Sequence, residues 1–337
     1  MKNWLYFIYI GLVGSLVSSC QQSLDEVVQE STIGKAEITF TIALEEIDSR
    51  SQTSWADNES SSNSEGGSVY DNQIDLTSED GLQVFVYSLD NIFLGEVTDK
   101  DVFRLNDNTY KFNGKLTIEN LSSSSLPCRL MVYANCINGT QTFTYDVDYV
   151  PMWGVMETTL KLAQGELTNI SKPIHLLRAM AKMEVKLHED IATDFDIASV
   201  EVDKFNTVGN VLPNGTLSAT ATEVMDQNEI FNPNNSATGE NLAFAKISND
   251  EFCVYLPEYD NSVPATITVY IGEKRYMIEF KNYIDGKAIG EAYNIVRNHY
   301  YQYTITKVGE QSVEVNLALK YQVEDWTNVT NPNLDFK

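Results

Sequence analysis

The residues best suited to metal or nucleophile chemistry are few: His175, His188 and His299, and Cys20, Cys128, Cys136 and Cys253. None of the histidines stands at a metal-ligand spacing from another ligand type. His175 and His188 fall in or beside strand patterns, where a structural role is the usual one. No Ser/His/Asp set is assignable, and neither a G-x-S-x-G elbow nor a phosphate-binding loop occurs. Carboxylates abound, 48 Asp and Glu against 23 Lys and Arg. Counting alone therefore leaves a glycosidase pair open, but in so acidic a chain most carboxylates are solvated surface. Tyr and Trp side chains could stack on sugars, yet the same residues build β cores. The sequence thus assigns no catalytic residue, no cofactor and no metal ligand, and it reads as that of a protein that is not an enzyme. A formal charge of −25 repels phosphate and excludes nucleic acid as a partner. With 43% hydrophobic and 11% aromatic residues, the chain can still bury a core.

Cys20 differs from the other cysteines. Lys2 is followed by a largely apolar run from Trp4 to Val17, shorter than a bilayer-spanning helix. The run ends in Val17-Ser18-Ser19-Cys20, which resembles the lipobox of bacterial lipoproteins. That resemblance implies a signal peptide over residues 1–19, removed so that Cys20 becomes a lipidated N-terminus at a bacterial membrane. Gln21 to Gly34 then reads as a polar tether. The remaining three cysteines allow at most one bridge. Cys128 and Cys136 enclose RLMVYAN and would lie about 26 Å apart along one extended strand, far beyond disulfide reach. Buried free thiols are expected.

Stepping outward from Cys20, the first element is Ala36 to Arg50. Ile38, Phe40, Ile42 and Leu44 alternate with Glu37, Thr39, Thr41 and Ala43, the period of a strand with one buried face. The alternating stretch extends about 30 Å. It runs into Arg50 and Ser51 in polar company, a setting where trypsin-like proteases cut readily. A plain first strand followed by a loop fits the same residues. Residues 51–80 are rich in Ser, Asn, Glu and Gly and read as a linker.

Strand patterns then follow one another. They cover Leu82 to Leu89, Phe103 to Phe112, Lys115 to Ile118, Arg129 to Ala134, Thr158 to Leu162 and Ile170 to Leu177, with Val150 to Gly154 as an irregular segment. A second block opens at Leu176. In it Met183, Val185 and Leu187 point inward and Lys182, Glu184 and Lys186 outward. Ile197 to Phe205, Phe252 to Leu256, Thr266 to Ile271 and Tyr276 to Phe280 continue it, and Tyr300 to Lys307 pairs with Val313 to Val323. The windows most like helix, Met156 to Ala163 and Glu240 to Ala245, are short. The expectation is a mainly β chain of two sandwiches in tandem, residues 51–174 and 175–337, with the change near Lys172-Pro173.

Taken in order, these pieces resemble the fimbrillins of Bacteroidales, the subunits of type V pili. The resemblance rests on the Cys20 lipobox, the strand ending at Arg50, and the segments LQVFVYS and CRLMVYANC. It also rests on PMWG from Pro151, LLRAMAKMEVKL from Leu176, Arg297-Asn298-His299-Tyr300-Tyr301, and the final Trp326. It implies transthyretin-like topology in both sandwiches and a lipoprotein precursor at the outer membrane. It further implies cleavage by a trypsin-like protease between Arg50 and Ser51, release of the strand carrying Ile38, Phe40, Ile42 and Leu44, and polymerisation with other fimbrial subunits as a neighbour's strand fills the groove. The implied donor is the tail 327–337 or the Val313 to Val323 region, and the implied place is a surface fimbria supporting adhesion. An anchoring or tip subunit, and a glycan-binding surface lipoprotein that never polymerises, are the alternative readings. Replacement of Cys20 by Ala is expected to abolish incorporation of labelled fatty acid and leave an uncleaved precursor in the envelope.

Overall fold

The computed structural model describes residues 34–44, 74–78, 81–106, 108–118, 123–136, 142–162, 166–212, 231–236 and 238–321. Cys20, Arg50, Ser51, most of the 51–80 segment and the 327–337 tail lie outside the described residues.

Among the described residues every regular element is a strand. The first group comprises β1 (Gly34–Leu44), β2 (Leu82–Ser88), β3 (Phe93–Glu96), β4 (Thr98–Asn106), β5 (Thr109–Ile118), β6 (Ser125–Ala134), β7 (Thr142–Thr144), β8 (Met152–Lys161), β9 (Leu167–Asn169) and β10 (Ile174–Arg178). All but β7 join one nine-stranded sheet in the order β3-β2-β6-β8-β10-β1-β5-β4, with β9 beside β1. The sheet wraps around a core that includes Ile38, Phe40, Ile42, Val84, Phe112, Leu130 and Val132.

The second group is β11 (Met180–Leu187), β12 (Ile197–Asn206), β13 (Val208–Asn210), β14 (Thr238–Ala243), β15 (Ala245–Lys246), β16 (Glu251–Pro257), β17 (Thr266–Ile271), β18 (Lys274–Glu279), β19 (Asn282–Ile284), β20 (Lys287–Ile289), β21 (His299–Val308) and β22 (Val313–Tyr321). A five-stranded sheet, β15-β16-β11-β21-β22, and a four-stranded one, β14-β12-β17-β18, enclose a second core containing Met183, Val185, Val202, Phe252, Val269 and Tyr303. The pairing of β21 with β22 runs from His299–Tyr321 to Val308–Val313. The β19–β20 hairpin lies against the start of β22, where the Val315 amide donates to the Gly286 carbonyl (3.3 Å).

A third apolar cluster joins the two groups. Met131, Tyr133, Trp153 and Val155 meet Ala179, Met180, Tyr255 and Tyr300, and β7 pairs with β13 across the same junction. This contact explains the strands that are apolar on both faces. In β6, Leu130 and Val132 enter the first core while Met131 and Tyr133 enter the junction. The segment at Pro151, read as irregular, opens β8 for the same reason: Met152 enters the first core and Trp153 the junction. With both faces buried, the period of two disappears from the sequence.

Other expectations are corrected in kind. Phe103 to Phe112 is not one strand, because β4 turns into β5 where the Asn108 amide donates to the Asn106 side-chain oxygen (3.0 Å). The windows Met156 to Ala163 and Glu240 to Ala245 contain strands. The change of sheet comes after Arg178 rather than near Pro173, since β10 pairs with β1 and β8. Lys182 and Glu184 alternate as expected but are buried. The Lys182 ammonium lies 5.0 Å from the Tyr300 ring centre, and the Glu184 carboxylate accepts from the Tyr300 hydroxyl and from Gln302 Nε2 (2.7 Å). Cys128, Cys136 and Cys253 are buried free thiols, and burial pushes those of Cys128 and Cys136 up to about 12.

The Arg297 to Tyr301 motif pins this junction. The Arg297 guanidinium, fully buried, donates to Glu258 Oε2 (2.7 Å) and to the Val211 carbonyl (2.7 Å). Asn298 takes a left-handed φ of 57°, donates its amide to the Met180 carbonyl (2.8 Å) and offers its side-chain oxygen to the Arg178 amide (3.3 Å). Removing one partner of a buried ion pair leaves the other charge uncompensated, at a cost of roughly 3–5 kcal/mol. Arg297→Ala is accordingly expected to lower the denaturant midpoint steeply. Lys307→Ala, which removes only an exposed pair with Glu314, should leave the midpoint nearly unchanged.

Candidate functional site

The site is β1 and the cleft it fills. Gly34 to Ala43 pairs antiparallel with Ile118 to Thr109 of β5. On its other side β1 runs parallel to two short strands: Glu37 to Thr39 lies beside Leu167 to Asn169 of β9, and Ile42 to Leu44 beside Ile174 to Leu176 of β10. Between these two pairings the Ile170 amide donates to the Thr39 carbonyl (2.9 Å). β1 is therefore an interior strand with hydrogen-bonding neighbours on both edges.

Ala36, Ile38, Phe40, Ile42 and Leu44 all point into the first core and are buried. Phe40 stacks on Phe112, with ring centres 4.6 Å apart and planes 26° from parallel. The cleft is close-fitting. A Cβ built on Gly114, which faces Ile38, would lie 2.4 Å from Val97 Cγ1. On the opposite face Lys35 and Glu37 are exposed, but Thr39, expected outward in a polar setting, is only 5% exposed. Its burial coincides with β9, which pairs at that position and which the strand patterns in the sequence did not include.

Burying four such apolar side chains is worth about 6–12 kcal/mol gross, offset by the entropy of ordering the strand. Without β1 the cleft would hold five vacated slots, an unstacked Phe112 and two bare strand edges, an arrangement that takes up an extended segment by β-augmentation. The sequence named the residues that fill the cleft but missed its walls. β9 has three residues, too short for a periodic signal, and the fit at Gly114 arises from a contact across the sheet.

The other candidate residues do not assemble into a reactive site. His175 lies on β10 beside Ala43. His188 is partly exposed and its Nδ1 is 3.2 Å from Asp190. His299 is buried with its Nδ1 2.8 Å from the Arg297 carbonyl, and burial lowers its pKa. Among the described residues no group of three or more His, Cys, Asp or Glu side chains could hold a metal ion.

The family model for fimbrillin-like proteins matches residues 131–326, more than half of the 337-residue chain. The chain belongs to the fimbrillin-like family. The match begins inside β6, so β1 to β5 of this fimbrillin-like chain lie outside it. Similar solved structures include a candidate cell adhesion protein from Bacteroides uniformis, with 14% identity, TM-score 0.47, and coverage of 78% of this chain and 96% of that one. A fimbrial assembly protein from Parabacteroides distasonis has 12% identity and TM-score 0.47 over 87% of this chain and 97% of that one. A fimbrial protein from Bacteroides ovatus has 11% identity and TM-score 0.34 over 69% and 44%. No curated protein matches the sequence. The fimbrillin-like proteins are structural, not enzymes.

Phe40 supplies the sharpest test of how firmly β1 is seated. Phe40→Ala is expected to cost about 3–5 kcal/mol through the cavity and the lost stack. Thr41→Ala on the half-exposed face should stay within roughly 0.5 kcal/mol. Equal midpoints for the two variants in chemical denaturation would mean that β1 is not held in the cleft.

Proposed function

We propose that this chain is the precursor of a fimbrial subunit, exported as a lipoprotein through Cys20, cut between Arg50 and Ser51 by a trypsin-like protease at the outer membrane, and built into an adhesive surface fimbria by strand exchange. In that exchange a neighbouring subunit's strand takes the place of β1. The observation that carries this reading is the position of β1: it is an interior strand of the sheet and also the first strand among the described residues. An interior strand in mid-chain needs two cuts to be released. β1 needs one, between Leu44 and Ile74, which is itself buried in the first core, and Arg50 stands there in a Ser- and Asn-rich stretch.

On this reading residues up to Arg178 form the accepting half and those from Ala179 the donating half. The donor would be the tail 327–337, with Val329, Leu334 and Phe336 as its apolar residues, together with part of β22. The donating chain gains the slots of Ile38, Phe40, Ile42 and Leu44 and two lines of backbone bonds. Detachment would have to break all of them together, so modest contacts give a durable joint.

Limited trypsin digestion of the lipid-free precursor tests this. The product should begin at Ser51. It loses seven acidic and two basic residues from 20–50 and so becomes less negative by five (7 − 2). The precursor should be monomeric and the product should polymerise. Arg50→Ala should stay monomeric in the presence of the protease, and deletion of 327–337 should stop growth. First cuts inside the sheets with Arg50 spared, or a cut full-length chain that stays monomeric at high concentration, would overturn the proposal.

A further inference from the structure

The β2–β3 hairpin displays apolar side chains that the other described residues do not cover. Leu89, Ile92 and Phe93 are 48%, 63% and 55% exposed. The connecting turn is nonetheless well built. The Ser88 amide donates to the Ile92 carbonyl (2.8 Å), the Asn91 amide to the Ser88 carbonyl (3.0 Å), and the Ile92 amide to Ser88 Oγ (3.1 Å). Asn91 sits at a left-handed φ of 64°, which asparagine tolerates better than most residues. The buried Arg129 guanidinium donates to the Asn91 side-chain oxygen and, at 2.8 Å, to Glu157. A buried arginine holding a turn that exposes three large apolar residues is a preorganised contact surface, not a frayed loop.

Two observations indicate what it meets. First, the surface continues an interface already present. Phe93 packs against Phe85 (6.2 Å) and Tyr87 (5.6 Å). Phe85 and Tyr87 in turn pack on the junction cluster where Met131, Tyr133 and Trp153 receive Met180, Tyr255 and Tyr300 of the second group. Among the described residues, one sheet face thus beds this chain's own second half at one end and stands bare at the other. Second, the bare end is the end at which β1 begins. A Cβ on Gly95, two residues beyond Phe93, would lie 3.2 Å from Leu116 Cδ1 and 3.6 Å from the Thr117 carbonyl, and Leu116 and Thr117 pair with Ala36 and Lys35. The opposite end of β1 pairs with β10, which leads directly into the second half. A neighbour that reached the cleft end-on at the Gly34 end would lie beside Leu89, Ile92 and Phe93. A stacking platform for sugar rings is not formed, since the Phe93 ring is tilted 55° from Phe85 and 64° from Tyr87.

We infer that Leu89, Ile92 and Phe93 form the docking surface for the second half of another copy of this chain. The end-to-end placement rests on the strand-exchange reading above, whereas the surface and its occupant do not. The test is a photo-crosslinking benzoylphenylalanine in place of Phe93, in the full chain in exporting cells. Irradiation should join position 93 of one copy to a peptide within residues 180–321 of another. The Leu89→Ser/Ile92→Ser pair should cut that yield about tenfold, as loss of a central apolar anchor does. The same pair should leave the melting of the precursor and the binding of a synthetic 34–50 peptide by the trypsin-cut chain unchanged. Copy-to-copy adducts with an uncut Arg50 would uphold the surface and defeat strand exchange. Adducts confined to one chain, formed with a different protein or lipid, or indifferent to the serine pair would overturn the surface, even if strand exchange proceeds.

Discussion

The structure depends on a single seam, the insertion of β1 between β5 on one side and β9 with β10 on the other. An interior strand must satisfy both rows of its backbone groups and fill the core beneath it, because unpaired buried amides and carbonyls are costly. β1 does all three with eleven residues. In the strand order β5 and β4 follow β1, while Val97, the single residue between β3 and β4, donates its amide to the Val84 carbonyl of β2 (2.9 Å). The strand that completes the sheet is thus the one that fills the cleft with Ile38, Phe40, Ile42 and Leu44.

The second constraint is the junction. A sheet face that would otherwise be solvated is buried by the other half of the chain, and this doubles the packing demand on β2, β6 and β8. Their outward residues are accordingly Phe85, Tyr133, Met131 and Trp153 rather than polar ones. Polar groups caught at the same interface are matched with partners: Arg297 with Glu258, and Glu184 with Tyr300 and Gln302. Such pairs add little net stability over apolar replacements. Here the Arg297 guanidinium also holds the Val211 carbonyl, and the next residue, Asn298, bonds to Arg178 and Met180 where the chain crosses between the halves. β10 links the two constraints, since its first three residues border β1 and its last two border β8 just before the chain enters the second sheet.

Membership in the fimbrillin-like family and the exposed β2–β3 hairpin bear on opposite aspects of assembly. The cleft offers a long, two-edged seat for an extended segment and would make a durable joint. The hairpin offers a small rigid patch, which can orient a neighbour but holds it only weakly, since contact area alone does not set affinity. A chain carrying −25 charges repels its own copies at long range. Contacts of short reach and defined shape are the kind that can operate against that repulsion.

The sequence by itself determined which strand lines the cleft and with which residues. Ile38, Phe40, Ile42 and Leu44 alternate with polar neighbours because one face of β1 is buried, and that is a local property the chain records directly. It also determined the all-β class and the pairing of β21 with β22. The walls of the cleft were decided only by the tertiary structure. β9 is three residues long, and β10 was legible as a strand but not as part of the first sheet, because sheet membership is set by partners distant in the chain. Lys182 and Glu184 show the same limit. Their alternation was readable, but their burial was not, since the second half of the chain packs that face against the first. Periodicity reports the first surface a strand meets, whereas the outward face is settled by whatever docks on it later.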